Sequence, residues 1–142
     1  MIKKFTADTL RNLQLFTNIT SVQPIECFSA GNYIIFVIPE KTAAKAIGKE
    51  GKNIKAIRNT LKKEVKVIET SHSPEKLIQN FVFPLRIRSI QIVGAENEKF
   101  AEILFANRND RRVLLNNQQE LLKCLREVVI YYYPDIKEIR IL

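Results

Sequence analysis

The sequence predicts an α+β protein made of two similar modules, each a three-stranded sheet packed by helices in the order α-β-β-α-α-β. Three observations lead to this prediction. The chain has 142 residues, which suits two small domains of about 70 residues each. Segments with helical and with strand-like hydrophobic periods alternate along it. A similar hydrophobic pattern also recurs at a constant offset of 67 residues, as expected of a duplicated module.

The first module begins with a helix and a hairpin. Thr6-Ala7-Asp8 is a capping-type start, and apolar residues recur at helical spacing after it, which predicts a helix over residues 7–18. Two β-rich runs, residues 22–28 and 33–38, flank the turn residues Ala30-Gly31-Asn32. Together they predict an antiparallel hairpin.

Two short helices and a third strand complete this module. Residues 40–47 predict a helix with Ala44 and Ile47 on its inward side. Residues 52–63 predict a second helix with one apolar and one basic stripe. The β-rich segment 65–69 closes the module as its third strand.

The second module repeats this order at the 67-residue offset. The predicted domains are residues 1–71 and 72–142, joined at Ser71-His72-Ser73-Pro74, where the serine and proline can cap and start the next helix. The final helix is longer and ends at Tyr131-Tyr132-Tyr133-Pro134. The last strand follows at residues 138–142.

Composition excludes several classes of protein. The hydrophobic fraction is 46% and the charged fraction 27%, and no apolar run approaches the roughly 20 residues that cross a bilayer. Met1–Phe5 lack the apolar core of a secretory signal, so we expect a soluble, cytoplasmic protein.

Cys27 and Cys124 stand far apart, and the one histidine, His72, lies in the predicted linker. We therefore expect two buried thiols and neither a metal site nor a cofactor.

Positive charge is concentrated in the first half of the chain. The net charge is +8. Residues 1–71 carry 12 basic and 6 acidic side chains, whereas residues 72–142 carry 11 and 9. Segment 41–66 has nine basic residues against Glu50 and Glu64, which predicts a polyanionic partner. The nine are Lys41, Lys45, Lys49, Lys52, Lys55, Arg58, Lys62, Lys63 and Lys66.

The tetrapeptide Gly48-Lys49-Glu50-Gly51 lies within this basic segment, between the two predicted short helices. Two glycines three residues apart permit a tight turn whose backbone can approach a sugar-phosphate chain closely. The turn also opens the next helix, whose first N–H groups attract anions. This context predicts a nucleic-acid contact.

The order of elements resembles the type II K homology (KH) domain, and two such modules in about 140 residues resemble the archaeal NusA-like transcription termination and antitermination factors. The segment from Ala46 to Lys55, AIGKEGKNIK, is close to the sequence IGKGGKNIK of that family. The resemblance implies a monomeric, non-enzymatic protein that binds single-stranded RNA and acts with RNA polymerase on nascent transcripts.

The resemblance also implies how RNA is bound. A single strand of about four nucleotides would lie between the glycine loop and its helix on one side and the sheet on the other. The glycines would admit phosphates, the lysines would neutralise charge, and Ile47 and Ile54 would support the bases. Glu50 replaces the more common glycine or basic residue and would weaken phosphate attraction. The implied RNA-binding residues are Lys45, Ile47, Gly48, Lys49, Glu50, Gly51, Lys52, Ile54, Lys55 and Arg58.

The second module departs from this pattern, because its equivalent loop is Leu115-Asn116-Asn117-Gln118. Side chains stand where a backbone would meet phosphate, and Asn116 or Asn117 is typical of an ordinary helix cap. Arg111 and Arg112 align near Lys45, where either peripheral RNA contact or a solvated surface is expected. We expect the three tyrosines to pack rather than to stack on bases.

Four other functions are alternatives at this point. The nearly neutral second half would suit a protein-interaction scaffold, and type II modules also occur in ribosome-associated proteins. A DNA-binding helix-turn-helix fits less well, because it requires neither the glycine loop nor the surrounding strands. An enzyme fits least, because the sequence has no GxxxxGK[ST] segment and no histidine–cysteine pairing for nucleophilic catalysis.

Overall fold

A computed structural model describes residues 6–142, and its contacts divide the chain into two compact units that follow each other at Ser71 and His72. Each unit contains one three-stranded sheet packed by helices, which confirms the predicted α+β architecture. Residues 1–5, which the sequence analysis assigns to the first module, lie outside the described residues.

The first unit has the predicted order of elements. Its first strand starts later than predicted, because Pro24 cannot donate a ladder hydrogen bond and pairing begins only after it. A 3₁₀ turn over Lys49–Gly51 separates the two short helices. The regular elements are α1 (Ala7–Thr20), β1 (Glu26–Ala30), β2 (Tyr33–Ile38), α2 (Ala43–Ile47), α3 (Lys52–Leu61) and β3 (Glu64–Glu69).

The order of strands in this sheet is β1-β2-β3. β1 and β2 form an antiparallel hairpin, whereas β3 pairs with β2 in parallel, from Tyr33 opposite Glu64 to Ile38 opposite Glu69. A parallel pair needs a crossover connection, and the segment that contains α2, the glycine loop and α3 provides it. The loop is thus part of the connection that the sheet topology requires.

A hydrophobic core lies between this sheet and the helices. The rings of Phe16 on α1 and Phe36 on β2 stack with their centroids 4.4 Å apart. Ile57 from α3 is fully buried in the same cluster. Side chains of this size each contribute about 1.5–3 kcal/mol when fully buried, so this cluster anchors both ends of the crossover. The buried members are Phe16, Val22, Cys27, Ile34, Phe36, Ile38, Ala46 and Ile57.

The second unit has the same sheet topology, with β4 antiparallel and β6 parallel to the central strand β5. Ser73 caps its first helix and Pro74 occupies the first turn, as predicted. The elements are α4 (Pro74–Val82), β4 (Ile87–Ala95), β5 (Glu98–Phe105), α5 (Arg108–Tyr132) and β6 (Ile136–Ile141).

The second unit differs from the predicted order in its connection. One helix of 25 residues, α5, stands where the prediction has two helices around a loop. The segment Leu115–Gln118 has no glycine to break the helix, and Asn116 lies inside it instead of capping it. The cap is Asn107, whose side chain accepts a hydrogen bond from the Asp110 N–H at 2.8 Å. Within this helix Gln119 has a positive φ of 62°.

Both cysteines are buried, as predicted. Burial raises the pKa of the Cys124 thiol to about 11, and the negative charges of Glu127 and Glu120 add to the increase. A thiol with so high a pKa is almost entirely protonated at neutral pH, and the thiolate is the reactive form. We therefore assign Cys124 to the core of the second unit.

Residues 6–142 contain neither a candidate membrane-spanning helix nor a candidate metal cluster. No helix in this range is long and apolar enough to cross a membrane. No cluster of three or more histidine, cysteine, aspartate or glutamate side chains is placed to hold a metal ion in the same range.

A glycine in the second hairpin provides a test of the fold. Gly94 has φ 115°, and a Cβ atom there would lie 2.5 Å from the backbone oxygen of Glu98. We expect Gly94→Ala to lower the free energy of unfolding by about 3 kcal/mol or more, because neither backbone segment can move aside cheaply. Urea denaturation measures this change.

Gly51→Ala is the matched control. Its φ is also positive, at 74°, but an added Cβ would meet only the Lys55 Cε atom, at 4.0 Å. Only the left-handed backbone would then be strained, at about 1 kcal/mol. Equal losses of stability in the two variants would contradict the described packing of the hairpin.

Candidate nucleic-acid interface

The loop Gly48–Gly51 has three residues with positive φ: Gly48 at 80°, Glu50 at 56° and Gly51 at 74°. The Gly48 N–H ends α2 by donating to the Ala44 oxygen at 3.0 Å, and the Gly51 N–H donates to the Gly48 oxygen at 3.1 Å. α3 begins at the next residue. The loop is therefore a tight, internally hydrogen-bonded turn, in which glycine relieves strain at two of the three positions.

Asn53 fixes the position of Gly48, and sequence analysis gave this residue no role. Its side-chain amide nitrogen donates to the Lys45 oxygen at 3.2 Å, which ties the start of α3 to α2. A Cβ atom on Gly48 would lie 2.9 Å from both Cγ and Nδ2 of Asn53. Glycine is therefore required at position 48 for its φ and also for the space that Asn53 fills.

Glu50 is the strained residue of the loop. It has left-handed backbone angles, φ 56° and ψ 27°, without being glycine, and its side chain is exposed. Such a conformation costs an L-residue with a Cβ about 1–2 kcal/mol. The centre of the loop thus has a negative charge and some stored backbone strain.

A hydrogen bond from the sheet holds the other end of α2. The Ala43 N–H donates to Oε2 of Glu69, on β3, at 2.9 Å. Thr42 Oγ1 donates to the Pro39 oxygen at 2.6 Å in the preceding turn. A carboxylate at a helix N-terminus is favourable both as a cap and as a charge. Sequence analysis missed Glu69 because its partner is 26 residues away.

The apolar side chains of α2 are not arranged as predicted. Ala46 is fully buried, whereas Ile47 is 39% exposed and Ala44 is exposed. The prediction that Ala44 and Ile47 face inward is wrong, because the side of α2 that packs on the core carries Ala43 and Ala46 instead. Ile47 is therefore available as an apolar surface beside the loop.

Ile54 on α3 is half-buried, whereas Ile57, one turn later, is fully buried. Ile54 thus lies between the core and solvent. The two isoleucines that the family resemblance implies, Ile47 and Ile54, both retain exposed surface on either side of the loop.

Four exposed lysines surround the loop: Lys45 on α2, Lys49 in the turn, and Lys52 and Lys55 in the first turn of α3. Residues three apart lie on one side of a helix, so Lys52 and Lys55 extend in similar directions. Arg58 is placed less favourably, because its Nε lies 3.8 Å from a Glu64 carboxylate oxygen. Its charge is shared with an acidic partner.

The loop and the residues around it combine three features that suit one kind of ligand. The glycine backbone leaves a close approach open, the lysines supply positive charge, and Ile47 supplies an apolar surface. Phosphates suit the first two features and bases suit the third. The ten implied residues remain a prediction: Glu50 is acidic and supplies none of these features, and Arg58 shares its charge with Glu64.

The equivalent segment of the second unit lies within α5. Leu115 and Asn116 are helical and Gln119 has a positive φ of 62°, and the absence of a clamp in this segment stays a prediction. Tyr132 is half-buried and Tyr131 is 40% exposed, and their rings meet edge to face with centroids 5.0 Å apart. The two tyrosine side chains thus pack against each other at the end of α5.

Known proteins resemble this chain in sequence and in structure. The family model described as KH domain matches residues 10–118. The probable transcription termination protein NusA of Methanocaldococcus jannaschii is 26% identical over 129 residues, which are 87% of this chain and 69% of that protein. The protein of the same name from Halococcus morrhuae is 22% identical over 132 residues, 93% of either chain.

A solved structure also resembles this chain. The crystal structure of APE1850 superimposes with a TM-score of 0.78 at 26% sequence identity, covering 97% of this chain and 100% of that one. The family match includes the glycine loop and most of both units. This chain belongs to the KH domain family, as a NusA-like member.

Proposed function

We propose that this protein binds single-stranded RNA through the loop Gly48–Gly51, without enzymatic activity, and acts as a transcription elongation or termination factor on nascent RNA with RNA polymerase. The observation that carries the proposal is the loop itself. Its two glycines have positive φ, it lies between exposed lysines, and an exposed isoleucine precedes it.

The binding mode follows from this geometry. Phosphates approach the backbone at Gly48 and Gly51, where no side chain intervenes. Lys49 and Lys52 neutralise the nearest phosphates. About four nucleotides fit such a clamp, with bases resting on the exposed part of Ile47 and Ile54. Lys45, Lys55 and Arg58 add positive charge at the rim, which attracts the strand in a salt-dependent way.

The link to transcription rests on the relatives. Proteins from several archaea that match this chain carry the name probable transcription termination protein NusA. RNA polymerase is therefore the partner we propose. We expect the purified protein to co-sediment with RNA polymerase. Co-sedimentation with ribosomal subunits alone would contradict this proposal and favour a ribosome-associated protein.

The double variant Lys49→Asp/Glu50→Asp tests the clamp. We expect its affinity for short single-stranded RNA to fall at least about tenfold at 0.1 M salt, because a phosphate contact is lost and repulsion replaces it. Aspartate tolerates the left-handed backbone at position 50, and both side chains are exposed, so the fold is retained. Fluorescence anisotropy with RNA, matched DNA and duplex RNA measures the effect.

Arg11→Asp is the charge-matched control. Arg11 lies on α1 with its side chain 76% exposed, and its ion pair with Asp8 is fully at the surface, so its loss changes stability little. The control changes the net charge by the same amount as the loop variant. Equal RNA affinity in the two folded variants would remove the loop from the mechanism.

Glu50→Gly is expected to bind single-stranded RNA about three- to tenfold more tightly at low salt. The substitution removes a negative charge from the centre of the loop, and glycine takes the left-handed conformation without strain. Anisotropy titrations over a range of salt concentrations measure the affinity, and urea denaturation measures the stability.

Glu50→Gln separates the effect of the charge from the effect of the backbone strain. Glutamine removes the charge but keeps the strained backbone, so affinity rises as in Glu50→Gly while stability does not. If neither variant binds RNA more tightly than the native protein, Glu50 does not face the phosphates.

A further inference from the structure

The second unit has an exposed arginine surface that its small net charge conceals. Five arginines are exposed near the start of β4 and in the first turns of α5. We call this set the arginine surface. Its members are Arg86, Arg88, Arg108, Arg111 and Arg112.

Backbone contacts bring the two parts of this surface together. The Arg86 N–H donates to Oδ2 of Asp110, in the first turn of α5, at 2.8 Å. The Ala106 N–H donates to the Arg86 oxygen at 2.9 Å, just before α5 begins. Residues twenty or more positions apart are thus held side by side at one end of the sheet.

A β-bulge sets the position of Arg88. Ile87 pairs with Phe105 and Ser89 pairs with Leu104, so Arg88 is the extra residue between two consecutive pairs. A bulge changes the direction in which a strand presents its side chains, and such bulges are common near functional sites. Both Arg86 and Arg88 are exposed beside it.

The helical arginines share one face. Arg108, Arg111 and Arg112 are three and four residues apart, which places them on the same side of α5. Arg111 is oriented by its Nε, which donates to the Leu142 oxygen at 3.0 Å. The guanidinium groups therefore extend from a rigid helix turn rather than from a loop.

These arginines lack aspartate and glutamate partners, unlike other arginines of the unit. Arg126 pairs with Glu138 at 2.8 Å and Arg140 with Glu102 at 3.4 Å. Within residues 6–142, no ion pair with an aspartate or glutamate side chain involves the arginine surface, and Arg111 donates to an oxygen of Leu142, the last residue of the sequence. Asp110 is the nearby acid, and its carboxylate accepts hydrogen bonds from the Arg86 N–H and the Asn107 side chain instead.

Three of the nine acidic residues of this unit lie at the other end of its sheet. Glu96 and Glu98 lie at the β4–β5 turn, and Asp135 pairs with Lys99 beside it at 3.1 Å. β5 has 8 residues, so about 25 Å separates the two ends. A net charge of +2 for residues 72–142 thus conceals the local excess of arginine at one end of the sheet.

We propose that the arginine surface is a second RNA-binding site, which contacts the phosphodiester backbone. Arginine presents a planar fork that matches phosphate oxygens in two parallel hydrogen bonds, whereas lysine acts as a point charge. The choice of RNA as ligand rests on the proposed function of the first unit. Phosphate contacts carry no sequence information, so this surface would strengthen the binding of any single strand.

The double variant Arg108→Gln/Arg112→Gln tests this site with single-stranded RNA of about 20 nucleotides. Each lost phosphate contact lowers the salt dependence of log affinity by about 0.7 and the affinity at 0.1 M salt by about fivefold. We expect a slope smaller by about 1.4 and a loss of about 25-fold if both arginines contact phosphate. Arg111 is left unchanged because it also bonds to the backbone.

Lys76→Gln/Lys123→Gln is the matched control. Both lysines are exposed on helices of the same unit, and the net charge changes equally. We expect this variant to keep the native salt slope. Circular dichroism and thermal unfolding check the fold of each variant.

Comparing the arginine variant with the loop variant Lys49→Asp/Glu50→Asp separates the second RNA-binding site from the proposed function of the loop. If the loop variant binds normally while the arginine variant binds weakly, the arginine surface stands and the loop fails. If the loop variant loses binding while the arginine variant matches its control, the second site is overturned, and an acidic protein becomes the ligand to test.

Discussion

The candidate site depends on one steric constraint, the contact between Gly48 and the side chain of Asn53. The amide of Asn53 fills the space that a Cβ on residue 48 would need, and it donates to the last turn of α2 through the Lys45 oxygen. This contact holds α2 and α3 at a fixed angle across the four-residue loop Gly48–Gly51. The positions of the lysines and of Ile47 follow from that angle.

The sheet determines where this pair of helices lies. Parallel pairing of β2 with β3 requires a crossover, and the crossover packs through Ile57 against the cluster around Phe16 and Phe36. Glu69, at the end of β3, then accepts a hydrogen bond from the first turn of α2. The loop is therefore attached to the core at both ends, so its backbone geometry is set before any ligand binds.

Sequence patterns predicted most of the fold because their signals are local. Glycine spacing, helix caps and strand alternation identified every element of the first unit, and Ser73-Pro74 marked the start of the second. The contributions of Asn53 and Glu69 were missed because they are tertiary hydrogen bonds. The exposure of Ile47 was misjudged because so short a helix gives no reliable period, and α5 was split because the expected loop had been carried over from the first unit.

The charge distribution of the second unit was also missed from the sequence, because net charge contains no information about the positions of the charges. Topology alone brings Arg86 and Arg88 beside the first turns of α5 while Glu96 and Glu98 lie at the opposite end. The two units thus present basic surfaces of different kinds. Lysines surround a glycine turn in the first, and arginines extend from a bulge and a helix start in the second.

An NMR titration of the isotope-labelled protein with single-stranded RNA tests the central claim most directly, because it observes each backbone amide. The account predicts the largest shift changes within residues 45–58, including the Gly48 and Gly51 amides and the side-chain amide of Asn53. RNA binding that leaves these signals unchanged would contradict it, since the phosphates would then contact another part of the protein.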